Sequence, residues 1–164
     1  AVYASDVNGD GITELPRAVL MAGYKDTSSS DAVYMLDWYA YGIGKVPAKV
    51  ATTYQNISDA WSLLIDQKWH DRITAIKAND GGLSYVEFFE YRKDKMSIPL
   101  FNIYCATGSN REYYAERTDL IQLGQTTQAI YFAKLTNEGE QSELALTGDE
   151  IKARFSLVNQ AWNN

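Results

Sequence analysis

Apolar and polar residues alternate along most of the 164-residue chain, and this period of two predicts β-strands. A run of Asn, Asp and two Gly at residues 79–82 separates two such stretches and predicts a tight hairpin. We expect strands at residues 15–22, 32–42, 48–56, 60–66, 72–78, 83–92, 98–107, 119–124 and 129–136. The pattern therefore favours antiparallel sheets over most of the chain.

The last part of the chain changes to a helical period. Thr147 followed by Glu150 has the spacing of a capping box, which marks the start of a helix. Apolar residues then recur at three- and four-residue intervals and form one stripe: Ile151, Phe155, Val158 and Trp162. With a short helix expected at 110–117, we predict an α+β fold in which a C-terminal amphipathic helix packs on a sheet.

The most distinctive motif is an acidic loop at residues 6–14. Gly11 permits a sharp bend in it, because glycine has no Cβ. Oxygen donors recur at every second position, so a tight loop can turn them toward one point: Asp6, Asn8, Asp10, the carbonyl of Ile12, and Glu14. Hard oxygen ligands suit Ca²⁺, which takes 6–8 of them. We therefore expect the N-terminal β-segment to carry a calcium-type loop, the alternative being an Asx-rich turn without a metal.

The spacing of this loop does not fit an EF-hand. An EF-hand needs a bidentate Glu at the twelfth loop position, which here is Arg17. Pro16 also prevents a smooth helical exit, because proline lacks an N–H group and fixes φ. The loop is therefore expected to connect two strands.

Residues 2–22, a strand followed by the acidic loop and a second strand, resemble the FG-GAP or VCBS-type repeat of β-propeller blades. The resemblance implies that Asp6, Asn8, Asp10, Ile12 (through its carbonyl) and Glu14 bind a structural calcium ion. A propeller needs several blades, and the sequence holds one copy of the repeat. We therefore expect residues 1–56 to form a β-segment like part of one blade.

Residues 57–164 resemble the Mog1/PsbP-like group of small α+β domains. The features that match are the segment 61–69, the strand at 98–107, the segment 123–135 and the final helix. The resemblance implies an antiparallel sheet closed by a helix, as in exported lipoproteins of Firmicutes. It implies no catalytic residues, because that group shares no active site.

Composition narrows the classes of partner. The net charge of −6 argues against a nucleic-acid partner, which would favour a basic surface. No run of 18 apolar residues exists, so we expect no membrane span in this chain. A single cysteine, Cys105, excludes an internal disulfide. The sequence has a single histidine, His70. A catalytic triad would have to use it, and a zinc site would need more His or Cys residues than the sequence contains.

Aromatic residues are abundant, at 13% of the chain. Five of them fall on neighbouring expected strands and are candidates for a carbohydrate platform: Trp38, Tyr39, Tyr41, Tyr54 and Trp61. The alternative is that these rings form core and cross-strand pairs.

Our leading hypothesis is a non-enzymatic binding or accessory module with a structural calcium site, secreted or anchored at the surface of a Gram-positive bacterium. Its partner would be a glycan or another extracellular protein. One alternative is a glycan-acting extracellular hydrolase or a carbohydrate-binding module. A purely structural spacer that follows a propeller is another.

Overall fold

The computed structural model describes residues 2–25, 32–93, 95–109 and 111–158. Its strands are β1 (Leu15–Leu20), β2 (Tyr34–Ala40), β3 (Ala48–Asn56), β4 (Trp61–Leu64), β5 (Ile73–Asp80), β6 (Leu83–Glu90), β7 (Ile98–Thr107), β8 (Ile121–Gln125), β9 (Ala129–Leu135) and β10 (Phe155–Leu157). Its α-helices are α1 (Arg111–Ala115) and α2 (Gly148–Arg154), and single 3₁₀ turns lie at Gln67–Trp69 and Gly139–Gln141. Within these ranges, none of the helices has the length and apolar character needed to cross a membrane.

The strands form two five-stranded antiparallel sheets. The first sheet has the order β1-β2-β3-β4-β10, and the second has the order β5-β6-β7-β9-β8. The hairpin predicted at residues 79–82 is confirmed, since Asp80 pairs with Leu83. Gly81 and Gly82 form its two-residue turn with φ values of +51° and +95°, a region that glycine enters at little steric cost.

One apolar core holds the two sheets together as a sandwich. Tyr54 of β3 meets Phe88 of β6 edge-on, with ring centroids 5.4 Å apart. Tyr131 of β9 donates its hydroxyl to the carbonyl oxygen of Asp59, between β3 and β4, at 2.7 Å. Side chains of both sheets share this core, among them Met35, Trp61, Leu63, Ile73, Val86, Phe101 and Ile103.

The expected division between residues 56 and 57 falls between two paired strands. Asn56 at the end of β3 lies opposite Trp61 at the start of β4. Strands from both expected parts of the chain therefore complete the first sheet. The division of the chain into residues 1–56 and 57–164 therefore remains a prediction that is based on sequence resemblance.

The predicted α+β fold is wrong. Strands account for 46% of the described residues and helices for 12%, and the C-terminal helix α2 is seven residues long. Its capping box is confirmed, because the Thr147 side chain accepts from the Glu150 N–H and the Glu150 side chain accepts from the Thr147 N–H. The fold is a β-sandwich with short helical connections rather than a sheet closed by a long amphipathic helix.

The predicted helix ends early because its second half joins a sheet. Phe155 has extended backbone angles (φ −83°, ψ 138°) and begins β10, which pairs with β4. This pairing satisfies backbone groups of both strands and stacks Phe155 on Trp61 at 5.9 Å between ring centroids. Val158 is 39% exposed, and Trp162 lies outside the described residues.

Candidate metal centre

The acidic loop lies at an edge of the first sheet, immediately before β1. Ser5 and Glu14 form an isolated antiparallel bridge at its base. The Ser5 N–H donates to the Glu14 carbonyl at 3.1 Å, and the Glu14 N–H donates to the Ser5 carbonyl at 2.9 Å. The two ends of the loop are therefore tied by backbone hydrogen bonds, while residues 8–13 at its tip are exposed.

Asp6 organises the backbone of this tip. Its Oδ1 accepts from the N–H groups of Gly9 (2.7 Å) and Asp10 (3.1 Å), and its Oδ2 accepts from the Gly11 N–H (2.8 Å). Gly9 and Gly11 have φ values of +76° and +84°, which explains why the loop needs glycine at both positions. A carboxylate has about four acceptor positions, so Asp6 keeps one of them, on Oδ2, for a further partner.

Asp10 and Asn8 hold each other in the same tip. The Asp10 N–H donates to Asn8 Oδ1 at 3.1 Å, and Asn8 Nδ2 donates to Asp10 Oδ2 at 2.9 Å. Asp10 Oδ1 also accepts from the Ile12 N–H at 2.8 Å. Each oxygen of the Asp10 carboxylate therefore has one partner and keeps room for another.

Glu14 distinguishes this loop from an ordinary polar turn. One carboxylate oxygen from each of Asp6, Asp10 and Glu14 lies within 4.8 Å of the other two. Glu14 is fully buried, and its Oε2 accepts from the Val7 N–H at 2.9 Å. Its Oε1 is buried and has no hydrogen-bond partner among the described residues.

This arrangement is costly unless a cation takes part in it. Leaving a buried charged acceptor without a partner costs roughly 1–3 kcal/mol or more. Two carboxylate charges 4.8 Å apart repel by about 0.9 kcal/mol even with the screening of bulk water. A divalent cation bound between the three carboxylates would satisfy Glu14 Oε1 and offset the repulsion. The donor set contains only oxygen, which suits Ca²⁺ or Mg²⁺ rather than Zn²⁺.

The structure brings together three of the five predicted ligands. Asp6, Asp10 and Glu14 converge, and Asn8 lies against Asp10. Ile12 is half exposed and its N–H is bound to Asp10, so the role of its carbonyl remains a prediction. Sequence reasoning missed the Val7 N–H and the burial of Glu14, because residue spacing within a loop gives no signal for either.

The five aromatic candidates do not form a common exposed surface. Trp38, Tyr54 and Trp61 are each 1% exposed, whereas Tyr39 is half-buried and Tyr41 is 57% exposed. The Trp38 indole N–H donates to Thr53 Oγ1 at 2.8 Å, which satisfies its polar atom inside the protein. Three of these rings therefore offer no free face to a sugar in this structure.

A second set of rings lies on the outer face of the second sheet. Tyr85, Tyr104, Phe132 and Tyr114 follow one another with centroid distances of 5.2, 4.8 and 5.2 Å. Tyr104 and Phe132 are nearly parallel, at 9°. Rings this close and parallel stack on each other, so neighbouring rings cover much of their faces. A sugar needs an open ring face, and this row is therefore better explained as packing.

Two shallow cavities bear on the hydrolase alternative. Among the described residues, a single acidic side chain lines each cavity: Asp71 in the cavity of about 210 Å³ and Glu138 in the cavity of about 280 Å³. A glycosidase uses a pair of carboxyl groups across its cleft. The described residues of neither cavity supply such a pair, so these cavities give no support to a hydrolase.

Comparison with known proteins identifies no family for this chain. A scan against protein-family models found no match, and searches of curated proteins and of solved structures found none. The resemblances to FG-GAP repeats and to Mog1/PsbP-like domains therefore remain predictions.

Proposed function

We propose that the chain is a non-enzymatic binding or accessory module in which one Ca²⁺ ion fixes the N-terminal loop. The observation that supports this proposal is the buried Glu14 carboxylate: one of its oxygens lies within 4.8 Å of carboxylate oxygens of Asp6 and Asp10, and its Oε1 has no hydrogen-bond partner among the described residues. An exposed acidic cluster alone would be satisfied by water. A buried carboxylate in such a cluster needs a cation or a donor group.

Ca²⁺ suits this loop better than Mg²⁺. Ca²⁺ accepts 6–8 oxygen ligands in flexible geometry, whereas Mg²⁺ demands a near-ideal octahedron and gives up its water reluctantly. Asp6, Asp10 and Glu14 would supply carboxylate oxygens, with Asn8 and the Ile12 carbonyl as further candidates. The remaining positions would be filled by water, because the tip of the loop is exposed.

The ion would act as a structural link. Glu14 stands at the base of the loop and Asp10 at its tip, so a shared cation would fix the tip relative to the Ser5–Glu14 bridge. Sites of this kind in extracellular modules bind in the range of about 10⁻⁴–10⁻³ M. A site of that affinity is filled where free calcium is millimolar, and we propose that the protein lies outside the cell or on its surface.

Exposed apolar side chains near the loop support a binding role. Leu15 of β1 pairs with Tyr39 of β2, so the acidic loop and the β2–β3 turn lie at the same end of the first sheet. Ile43 and Val46 of that turn are almost completely exposed. We propose another extracellular protein as the partner, which would cover these exposed apolar side chains.

Calorimetric titration of the metal-stripped protein with CaCl₂ tests the metal site. We expect one site with a dissociation constant of about 10⁻⁴–10⁻³ M. Asp10→Ala should abolish binding, because it removes two candidate oxygens from the tip. Glu112→Gln on α1, an exposed position outside the loop, should bind like the wild type. Absence of saturable binding by the wild type would contradict the proposal.

A further inference from the structure

The acidic loop also holds a dipeptide that is chemically labile. Asn8 is the only asparagine in the sequence that is followed by glycine. Asparagine deamidates when the backbone nitrogen of the next residue attacks its side-chain carbonyl carbon. Glycine hinders this attack least because it has no side chain. Asn8 and Gly9 are both exposed, so water reaches the reacting atoms.

The backbone nitrogen of Gly9, which would attack Asn8, is hydrogen-bonded to Asp6 in the structure. The Gly9 N–H donates to Asp6 Oδ1 at 2.7 Å, the shortest of the hydrogen bonds that Asp6 accepts. Attack on Asn8 requires that nitrogen to lose its proton and to turn toward Cγ of Asn8. A bond to a carboxylate opposes both changes, because it holds the proton and fixes the direction of the N–H group.

The Asn8 side chain is fixed from the other side. Its Nδ2 donates to Asp10 Oδ2 at 2.9 Å, and its Oδ1 accepts from the Asp10 N–H at 3.1 Å. The amide must rotate to present Cγ to the Gly9 nitrogen, and rotation breaks both bonds. The loop therefore restrains the nucleophile through Asp6 and the electrophile through Asp10.

We propose that Asn8 is a site of spontaneous deamidation and that Asp6 is the residue that slows it. The Gly9 nitrogen gives its proton to solvent hydroxide and forms a bond to Cγ of Asn8. The bond from Cγ to Nδ2 breaks, and the departing nitrogen takes a proton from water and leaves as ammonia. Water then opens the five-membered imide at either carbonyl and leaves aspartate or isoaspartate at position 8.

Both products would change the cation site, a consequence that rests on the proposed function. Aspartate would bring a fourth carboxylate beside Asp6 and Asp10 and would make the loop more dependent on a cation. Isoaspartate would add one atom to the backbone between Asp6 and Asp10 and would disturb their spacing. Bound Ca²⁺ should slow the reaction further, because it would hold the loop in the arrangement that opposes attack.

The test follows deamidation of the protein at neutral pH by mass spectrometry of the tryptic peptide that ends at Arg17. Three forms are compared: the folded wild type, the wild type unfolded in urea, and folded Asp6→Ala. Asp6→Asn keeps one acceptor oxygen for Gly9 and serves as the conservative variant. Asp80→Asn places an Asn–Gly pair in the exposed β5–β6 turn and serves as the internal reference. Circular dichroism checks that each variant is folded.

In the absence of calcium we expect Asn8 of the folded wild type to react about ten- to a hundredfold more slowly than in urea, the rate equivalent of one hydrogen bond to a charged group. Asp6→Ala should restore most of the lost rate, and Asp6→Asn should restore less of it, because Asn keeps an acceptor for the Gly9 N–H but loses the charge. Calcium should slow Asn8 and leave position 80 of Asp80→Asn unchanged. Equal rates at Asn8 in folded and unfolded wild type, or no acceleration in folded Asp6→Ala, would overturn the proposal.

This experiment separates the two proposals. Acceleration in Asp6→Ala without any effect of calcium on the wild type would support restraint by Asp6 and count against the calcium site. Slowing by calcium without any effect of Asp6→Ala would support the calcium site and overturn the role of Asp6.

Discussion

Replacing Glu14 by Gln should stabilise the calcium-free protein and remove the stabilisation that calcium gives the wild type. Gln keeps the size of the side chain and an oxygen that can accept from the Val7 N–H. It removes one charge from a cluster whose carboxylate oxygens lie within 4.8 Å of one another, and two unit charges at that limit repel by about 0.9 kcal/mol even with the screening of bulk water. Removal of the two repulsions with Asp6 and Asp10 should stabilise the calcium-free protein by about 2 kcal/mol.

Calcium should stabilise the wild type, because the bound cation would offset the repulsion between Glu14, Asp6 and Asp10. With a dissociation constant of about 10⁻⁴–10⁻³ M and about 10 mM CaCl₂, ligand binding raises the free energy of unfolding by about 1.4–2.7 kcal/mol. For a chain of this length, 1 kcal/mol shifts Tm by about 2–4 °C. We expect calcium to raise the Tm of the wild type by about 3–11 °C and to leave that of Glu14→Gln nearly unchanged.

Thermal unfolding followed by circular dichroism, in EDTA and in CaCl₂, measures both effects. In EDTA, Glu14→Gln should melt about 4–8 °C above the wild type. The matched control Glu112→Gln makes the same change of charge at an exposed site on α1 and should follow the wild type in both buffers. A wild type with the same Tm in both buffers would refute the reasoning. A Glu14→Gln variant that melts below the wild type in EDTA would show that the protein alone stabilises the Glu14 carboxylate.

Three further predictions concern the sandwich. Gly139→Ala should lower the free energy of unfolding, measured by denaturant titration, by about 1–3 kcal/mol, because a Cβ would lie 2.6 Å from the Leu100 carbonyl oxygen. The control Gly124→Ala should lower it little, because its Cβ would meet its nearest neighbours at 3.6 Å. Hydrogen bonding from Ser142 and Arg92 lowers the pKa of Glu90 in the folded protein below its ordinary value of 4.5. The Glu90 carboxylate should therefore contribute fully to the free energy of unfolding above pH 4.5. This contribution should be lost as the pH falls through the pKa of Glu90 in the folded protein. Glu90→Gln should remove that part of the pH dependence of stability, and an unchanged acid limb would contradict it. Burial raises the pKa of Cys105 to about 11, so iodoacetamide should modify Cys105 in urea but not in the native protein at neutral pH, a difference that mass spectrometry detects.

Residue alternation predicts individual strands well where both faces of a strand have a clear character. The expected bounds 48–56 and 98–107 match β3 and β7, both of which contain several β-branched and aromatic residues. The Asn-Asp-Gly-Gly hairpin also follows from local chemistry, since glycine allows the positive φ angles of the turn. These features depend on residues close together in the sequence.

The C-terminal helix fails because a distant strand decides its end. The spacing of Ile151 and Phe155 fits a helix, and Phe155 is buried as that stripe requires. Phe155 also fits a strand that pairs with β4, which lies about 90 residues earlier in the chain. Local periodicity does not contain this information, so the prediction could not choose between the two outcomes.

Burial limits the prediction of the candidate sites in the same way. Spacing within the acidic loop predicts that Asp6, Asp10 and Glu14 can converge, and they do. It does not show that Glu14 is buried while Asp6 and Asp10 are exposed, which decides how strongly the cluster needs a cation. The sequence leaves open whether Trp38 and Trp61 belong to an exposed platform or to the core, and both are buried.

A crystal structure of the protein grown with millimolar CaCl₂ tests the metal site most directly. The account predicts one cation at 2.3–2.6 Å from carboxylate oxygens of Asp6 and Asp10 and from Glu14 Oε1, with 6–8 oxygen ligands in all. An ordered loop that holds no cation, with Glu14 Oε1 bound to a protein donor or to water, would contradict it.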